Sequence, residues 1–151
     1  MKTIREIYRK DQYHVRRWEK HYTDKDFYAI NRDLRKDVDQ ILGSKNKISP
    51  MELWMAGMIY HHGFTLSASR RSLRLAKEAY EEGYKPAKTL IAQATDRLLQ
   101  LQGKPQKFGT QAVRLKNGKW KQYRLDGSVT DDERKEYGLP PLKTLASYIN
   151  E

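Results

Sequence analysis

Apolar residues recur every three to four positions through the first hundred residues and then give way to alternation, a pattern of successive helices followed by a short sheet-forming segment. Ile4, Ile7, Tyr8, Asp11, Val15, Trp18 and Tyr22 fall within an arc of about 100 degrees on a helical projection. Thr3 and Glu6 stand at capping-box spacing, so a first helix is predicted from there to about Tyr22. A second begins near Thr23 or Asp24, carries Phe27, Ile30, Leu34, Val38 and Ile41 on one side, and stops at Gly43, which accepts the left-handed C-cap conformation. Ser49, Pro50 and Glu52 supply N-cap, first-turn proline and box partner for a third. Its core, MELWMAGMIY, is apolar on nearly every side and is therefore placed centrally. Gly63 ends it, Ser67 or Ser69 caps a fourth running to Gly83, and Pro86 opens a fifth that closes at Gly103. Short connections make successive helices pack roughly antiparallel.

Beyond Gly103 the period changes. In AVRLKNGKWKQYRL, Asn117 and Gly118 lie between strand-like residues, the signature of a two-residue type I′ hairpin with Leu115 facing Trp120. Thr130 and Glu133 form another capping box, GLPPL breaks the chain, and Leu142, Leu145 and Ile149 make a last amphipathic turn. The expected fold is mainly α: a compact bundle of about five antiparallel helices with a small β-hairpin and short C-terminal helices. One domain is expected over 1–151, with the bundle at 3–103, loop and hairpin at 104–125, and a C-terminal helical segment at 130–150.

Composition narrows the chemistry. The chain of 151 residues holds no cysteine, which excludes disulfides and thiolate-bound zinc and fits a reducing compartment. MKTIREIYRKDQ lacks the apolar run of a secretory signal, and the longest apolar stretch is well short of the ~20 residues that span a bilayer. A cytoplasmic protein without a membrane partner is expected. His61 and His62 are adjacent, and neighbouring side chains on a helix diverge, so they make a poor pair of metal ligands. One imidazole packed into the bundle and hydrogen-bonded is the ordinary outcome. No Walker loop, Gly-x-Ser-x-Gly elbow, His-Glu-x-x-His or dinucleotide fingerprint occurs, so no metal or other cofactor is expected.

Asp11 sits inside the apolar stripe of the first helix, where a carboxylate is costly unless paired. On the fifth helix the stripe is Leu90, Ile91, Ala94, Leu98 and Leu101, with Arg97 about 20 degrees outside its edge, making Arg97 the first choice of partner. Such a pair is either part of a site or an architectural clamp between helices. Asp96 projects to the opposite side and is a surface acid unless the following loop or hairpin folds over it. Gly103, Pro105 and Gly109 bend GKPQKFGTQ, so Gln106, Thr110 and Gln111 either point into a polar space or satisfy the loop's own backbone.

The blocks DQYHVR, MIYHH, TDRLLQLQGKPQKFGTQ and DDERKEYGLPPL resemble, in order and spacing, a bacterial domain family of unknown function over nearly the whole chain. The resemblance implies a mostly helical domain with a shared polar cleft, and it implies no activity. It marks Asp11, Gln12, Arg16, His62, Asp96, Arg97, Gln106, Thr110 and Gln111 as the matching polar positions. This chain departs from the family at His61, where glutamine is usual, and at Phe108, where tyrosine is usual.

These readings converge on a cleft for a small polar or anionic ligand, with hydrolysis as the candidate reaction. His62 would be general base or acid, Asp11 would orient or neutralise a cation, and Arg97 would hold an anionic group. Gln12, Arg16, Asp96, Gln106, Thr110 and Gln111 would bind substrate. The net charge of +11 supports a second class, a nucleic-acid-binding module. No acid lies between Asp96 and Asp126, and Lys104, Lys107, Arg114, Lys116, Lys119, Lys121 and Arg124 follow Arg97 there, with Phe108, Trp120 and Tyr123 as stacking surfaces. A third class is a protein-interaction module whose basic face meets an acidic partner.

Overall fold

The computed structural model describes residues 2–44 and 46–148, with side chains described through residue 145. Ile149 of the last expected turn, and residue 150 of the expected C-terminal segment, lie outside the described residues. The protein is a mainly α bundle with a small hairpin. Its elements are α1 (Ile4–His21), α2 (Asp24–Leu42), α3 (Pro50–His61), α4 (Leu66–Glu81), α5 (Ala87–Leu101), β1 (Ala112–Arg114), β2 (Trp120–Gln122), α6 (Asp131–Glu136) and a 3-10 helix, Leu142–Tyr148.

Local capping explains where the helices start. Thr3 and Ser49 each bond the backbone of the third helical residue, and Glu6 and Glu52 reach back to the cap, closing both boxes. α4 starts at Thr65, whose hydroxyl accepts from Ala68 N–H at 3.1 Å, rather than at Ser67 or Ser69. That leaves Ser69 buried inside the helix. Thr130 caps α6 from one side only, because the Glu133 carboxylate is drawn instead to Lys107 Nζ at 3.0 Å.

Two glycine stops differ from expectation. Gly43 keeps a right-handed φ of −78°. At the end of α3 the left-handed residue is Phe64, with φ 54°, not Gly63. Gly63 is needed for clearance: a Cβ there would lie 2.7 Å from the Ala68 Cβ, where α4 passes close by.

Packing is most extensive between α3 and α4 and between α4 and α5, and α1 and α2 close over α3. The main core gathers Ile4, Ile7, Leu34, Val38, Leu53, Ile59 and Leu75, so α3 is central as its uniformly apolar sequence requires. A smaller core of Ala92, Phe108 and Val129 joins α5 to the segment that follows it. Among the described residues, no helix is long and apolar enough to cross a membrane.

The hairpin is antiparallel with Arg114 opposite Trp120, one residue out of the expected register. Gly118 N–H bonds the Leu115 carbonyl at 2.9 Å, Leu115 N–H bonds the Lys119 carbonyl at 2.7 Å, and Gly118 has φ +82° while Asn117 is not left-handed. A type I′ turn needs positive φ at both central residues; the observed three-residue loop needs it only at the glycine. The extra loop residue shifts Trp120 from Leu115 to Arg114.

Candidate functional site

The polar positions singled out in the sequence do not converge on one cleft. They form two bonded clusters that meet at the C-terminal end of α3.

In the first, Asp11 lies on the inward stripe of α1, 1% exposed. Its partner is His62, not Arg97: Oδ2 lies 2.7 Å from His62 Nδ1. Arg97 is not within ion-pair distance of Asp11; α5 packs on α4 and α3, whereas residue 62, just past the last turn of α3, reaches α1 directly. A carboxylate can only accept, so a neutral His62 carries its proton on Nδ1 and leaves the Nε2 lone pair free. The His62 side chain is 13% exposed. Gln12 Nε2 extends toward the same carboxylate at 3.5 Å, and Arg16 is exposed one turn further along α1.

The second cluster answers the Asp96 question. Residues 104–111 fold back over the outer side of α5, and Asp96 becomes 0% exposed. Its Oδ1 accepts from Lys107 N–H at 2.8 Å and Phe108 N–H at 2.9 Å, and its Oδ2 from Thr110 N–H at 2.9 Å and Thr110 Oγ1 at 2.7 Å. Four donors make the buried carboxylate affordable and leave it no capacity for a substrate. Asp96 is therefore the organiser of the loop, not a surface acid.

Gln106, also 0% exposed, pairs its amide with the peptide units of residue 111. Its Oε1 accepts from Gln111 N–H at 2.9 Å and its Nε2 donates to the Gln111 carbonyl at 3.0 Å. The same Nε2 also donates to the Tyr123 carbonyl at 2.6 Å, tying the loop to the chain beyond β2. The substrate-binding roles expected for Asp96, Gln106 and Thr110 give way to backbone satisfaction. Gln122, which the sequence reading missed, adds a third bond from its Nε2 to the Gln111 carbonyl at 3.0 Å. Alternation puts Gln122 on the face of Trp120, which is exposed, so the burial of Gln122 was not signalled by the strand period.

Arg97 joins the two clusters. Its Nε donates to Gln111 Oε1 at 2.6 Å and its Nη1 to the His61 carbonyl at 3.1 Å, and its guanidinium carbon stands 3.8 Å from the centre of the Phe64 ring. Phe64 also touches Trp18 and Tyr28, whose rings lie 5.4 and 5.6 Å away. The strained Phe64 backbone thus presents an aromatic face to a buried cation. Arg97 is 8% exposed, and among the described residues no carboxylate is within ion-pair distance of it. Burial lowers its pKa to about 10, so it remains protonated at neutral pH.

His61 is buried with Nδ1 unpartnered, and burial, reinforced by the positive charge of Arg97, holds its pKa well below the ordinary histidine value. The buried imidazole and the hydrogen-bonded imidazole are thus two different residues. Among the described residues no set of three or more His, Asp or Glu is gathered as metal ligands.

Of the basic run at 97–124, Lys107 is held by Glu133, and Arg124 donates from Nη2 to the Gly103 carbonyl. Tyr123 is half-buried and Phe108 is in the smaller core, so neither offers a free ring face as expected. Arg114, Lys116, Lys119, Trp120 and Lys121 are exposed on the hairpin, and Lys104 on the loop before it.

Fold and site together define a mainly α-helical protein in which a histidine–carboxylate pair and a buried arginine share one helix terminus. Compared with protein-family models, curated proteins and solved structures, the chain matches none.

Proposed function

We propose that the protein binds a small anionic ligand against Arg97 and that His62 exchanges a proton with it as the base or acid of a hydrolytic reaction. The observation that carries this reading is a buried guanidinium held only by neutral groups: an amide oxygen, a peptide carbonyl and an aromatic face. Leaving a buried charge without a counter-ion is costly, and an anionic ligand would compensate it. His61, His62 and Phe64 place the Arg97 anchor points and the Asp11–His62 pair on one four-residue segment. In the reaction, His62 Nε2 would take a proton from water as its oxygen attacks an acyl or phosphoryl centre, and would return that proton to the leaving group.

The test combines binding and turnover. Acetate, inorganic phosphate and nitrophenyl esters of each are titrated while the Arg97 Nε–H resonance is followed. At least one anion is expected to move it at millimolar concentration and low salt, with the effect lost in Arg97→Met. Replacing Asp11→Asn together with His62→Gln keeps a neutral hydrogen-bonded pair; it should retain binding and abolish ester hydrolysis. An Arg97 resonance that no anion moves would end the proposal.

A second reading rests on the hairpin, where Trp120 is 45% exposed and the Arg114 guanidinium lies 6.0 Å from its ring centre. A stacking surface among exposed lysines suits single-stranded nucleic acid. Affinity for an oligonucleotide should then fall steeply with salt and drop in Trp120→Ala. Salt-independent or absent binding would exclude it.

A further inference from the structure

On the other side of α3, away from Asp11 and His62, two arginines flank one tyrosine. Tyr60 donates its hydroxyl to Asp39, and the Arg71 and Arg35 guanidinium carbons lie 5.9 and 6.0 Å from its ring centre. Arg74 follows Arg71 on α4, one turn along. Arg71 and Arg74 line a cavity of about 430 Å³ together with Asp39, Leu42, Tyr60 and Ser67.

None of Arg35, Arg71 and Arg74 has an ion-pair partner among the described residues. Arg71 Nε is fully enclosed yet donates to nothing, an unusual state for a charged donor. Arg35 lines neither this cavity nor the next, and its Nε donates to Asn31 Oδ1 at 2.9 Å; with Asp39 engaged by Tyr60, the two guanidinium groups of Arg71 and Arg74 against one carboxylate leave one surplus positive charge at the cavity. The first turn of α4 carries no acid to offset it.

A second cavity of about 270 Å³ adjoins this one, sharing Leu42, Arg71 and Arg74. It extends over Leu53 and Leu75 and ends at Glu78 and Glu82, neither of which is ion-paired to Arg71 or Arg74. Arginines at one end, leucines between and glutamates at the far end impose a direction on any occupant.

We infer that this groove is a second ligand site, which takes an organic phosphate: a dianionic head on Arg71 and Arg74 and a compact apolar body along Leu42, Leu53 and Leu75. A phosphate monoester matches the two guanidinium groups of Arg71 and Arg74, since its three terminal oxygens accept several bonds at once. A carboxylate, with only two oxygens, fills one guanidinium fork and leaves the other unanswered. The glutamates repel a second anionic group, so the body is neutral or cationic at its far end.

Phenyl phosphate is the probe, titrated calorimetrically into the whole protein at low salt, with inorganic phosphate, benzoate and phenol as comparisons. Phenyl phosphate should bind more tightly than all three. Arg74 is exposed, so Arg74→Gln leaves the fold intact and should weaken phenyl phosphate by about tenfold or more, the loss of one charged hydrogen bond. Arg71→Lys keeps the charge but loses the fork, and should weaken it comparably.

Because the Arg97 site is also read as anionic, Arg97→Met separates the two: it should leave phenyl phosphate binding at the groove unchanged. The inference is overturned if phenyl phosphate does not bind, if benzoate or phenol binds equally well, or if Arg74→Gln and Arg71→Lys both bind as the native protein does. Loss of binding in Arg97→Met with none in Arg74→Gln would likewise overturn it and assign the phosphate to the other site.

Discussion

Replacing Asp96→Asn should destabilise the protein by about 3 kcal/mol, a large fraction of the total stability of a domain of this size. The carboxylate is fully enclosed and accepts four bonds, three from backbone N–H groups and one from the Thr110 hydroxyl. An asparagine offers one acceptor oxygen and one donor. In its better orientation the oxygen keeps Lys107 and Phe108, and the new NH₂ faces Thr110, whose hydroxyl can turn to accept.

Thr110 N–H is then buried against another donor, which costs about 1–3 kcal/mol, and the bonds that survive fall from charge-assisted to neutral strength, about 1 kcal/mol each. Relief from burying a charge offsets part of that sum. Thr110→Val removes the shared hydroxyl and its bond from Gln111 Nε2 at 3.0 Å, and alone should cost about 1–2 kcal/mol. The double variant should then be less destabilised than the two singles added, by about 1 kcal/mol, because one bond is lost in both. Urea denaturation followed by circular dichroism, with the slope checked for constancy, measures all three. An Asp96→Asn cost under about 1 kcal/mol, or additivity within about 0.3 kcal/mol, would refute the carboxylate as organiser of the loop.

Three further outcomes are expected. Gly109 has φ +82°, and a Cβ on it would meet Leu145 Cδ1 at 2.8 Å and Arg134 Nη1 at 3.0 Å, whereas Gly103, φ +73°, faces open space. Gly109→Ala should therefore cost about 2–4 kcal/mol and Gly103→Ala only about 1, in the same denaturation assay, and equal costs would contradict the crowding. His61 resists protonation when folded but not when unfolded, so its contribution is complete above about pH 6.5 and is lost as pH falls below that, with a slope of up to ~1.4 kcal/mol per pH unit. His61→Gln should flatten the fall in urea midpoint between neutral and mildly acidic pH; an unchanged slope would assign the proton elsewhere. Phe64→Leu leaves the left-handed strain unchanged and should cost about 2–3 kcal/mol, from lost ring packing and the cation–π contact with Arg97; a near-neutral result would refute that contact as a stabilising one.

The starts of α1 and α3 were legible because a cap is a local device: Thr3 with Glu6 and Ser49 with Glu52 are each closed within four residues. The stops were less so, since glycine answers two needs that look alike in sequence. Gly103 supplies a left-handed turn, whereas Gly63 supplies clearance for a neighbouring helix, a fact about α4 that α3 does not encode. The hairpin failed by one residue for a similar reason. Asn-Gly is compatible with both the two-residue and the three-residue loop, and the choice falls to the flanking strand, whose inward Gln122 must reach the Gln111 carbonyl.

The buried acids make the same point more sharply. A helical projection correctly showed that Asp11 faces inward, but it gives an angle about one axis and says nothing of which residue on another element stands at that height. His62 does, because it lies just past the end of α3 rather than on a helical stripe. For Asp96 the angle was right, and the stated exception is what the structure shows: it faces away from the bundle, and residues 104–111 return to cover it. That return was written in the chain as three spaced chain-bending residues, a glutamine able to pair with a peptide unit, and a threonine able to share the carboxylate. A loop that must be buried has to bring acceptors for its own N–H groups or find one beneath it, so a polar residue on the apparent outside of the preceding helix is where to look for the contact.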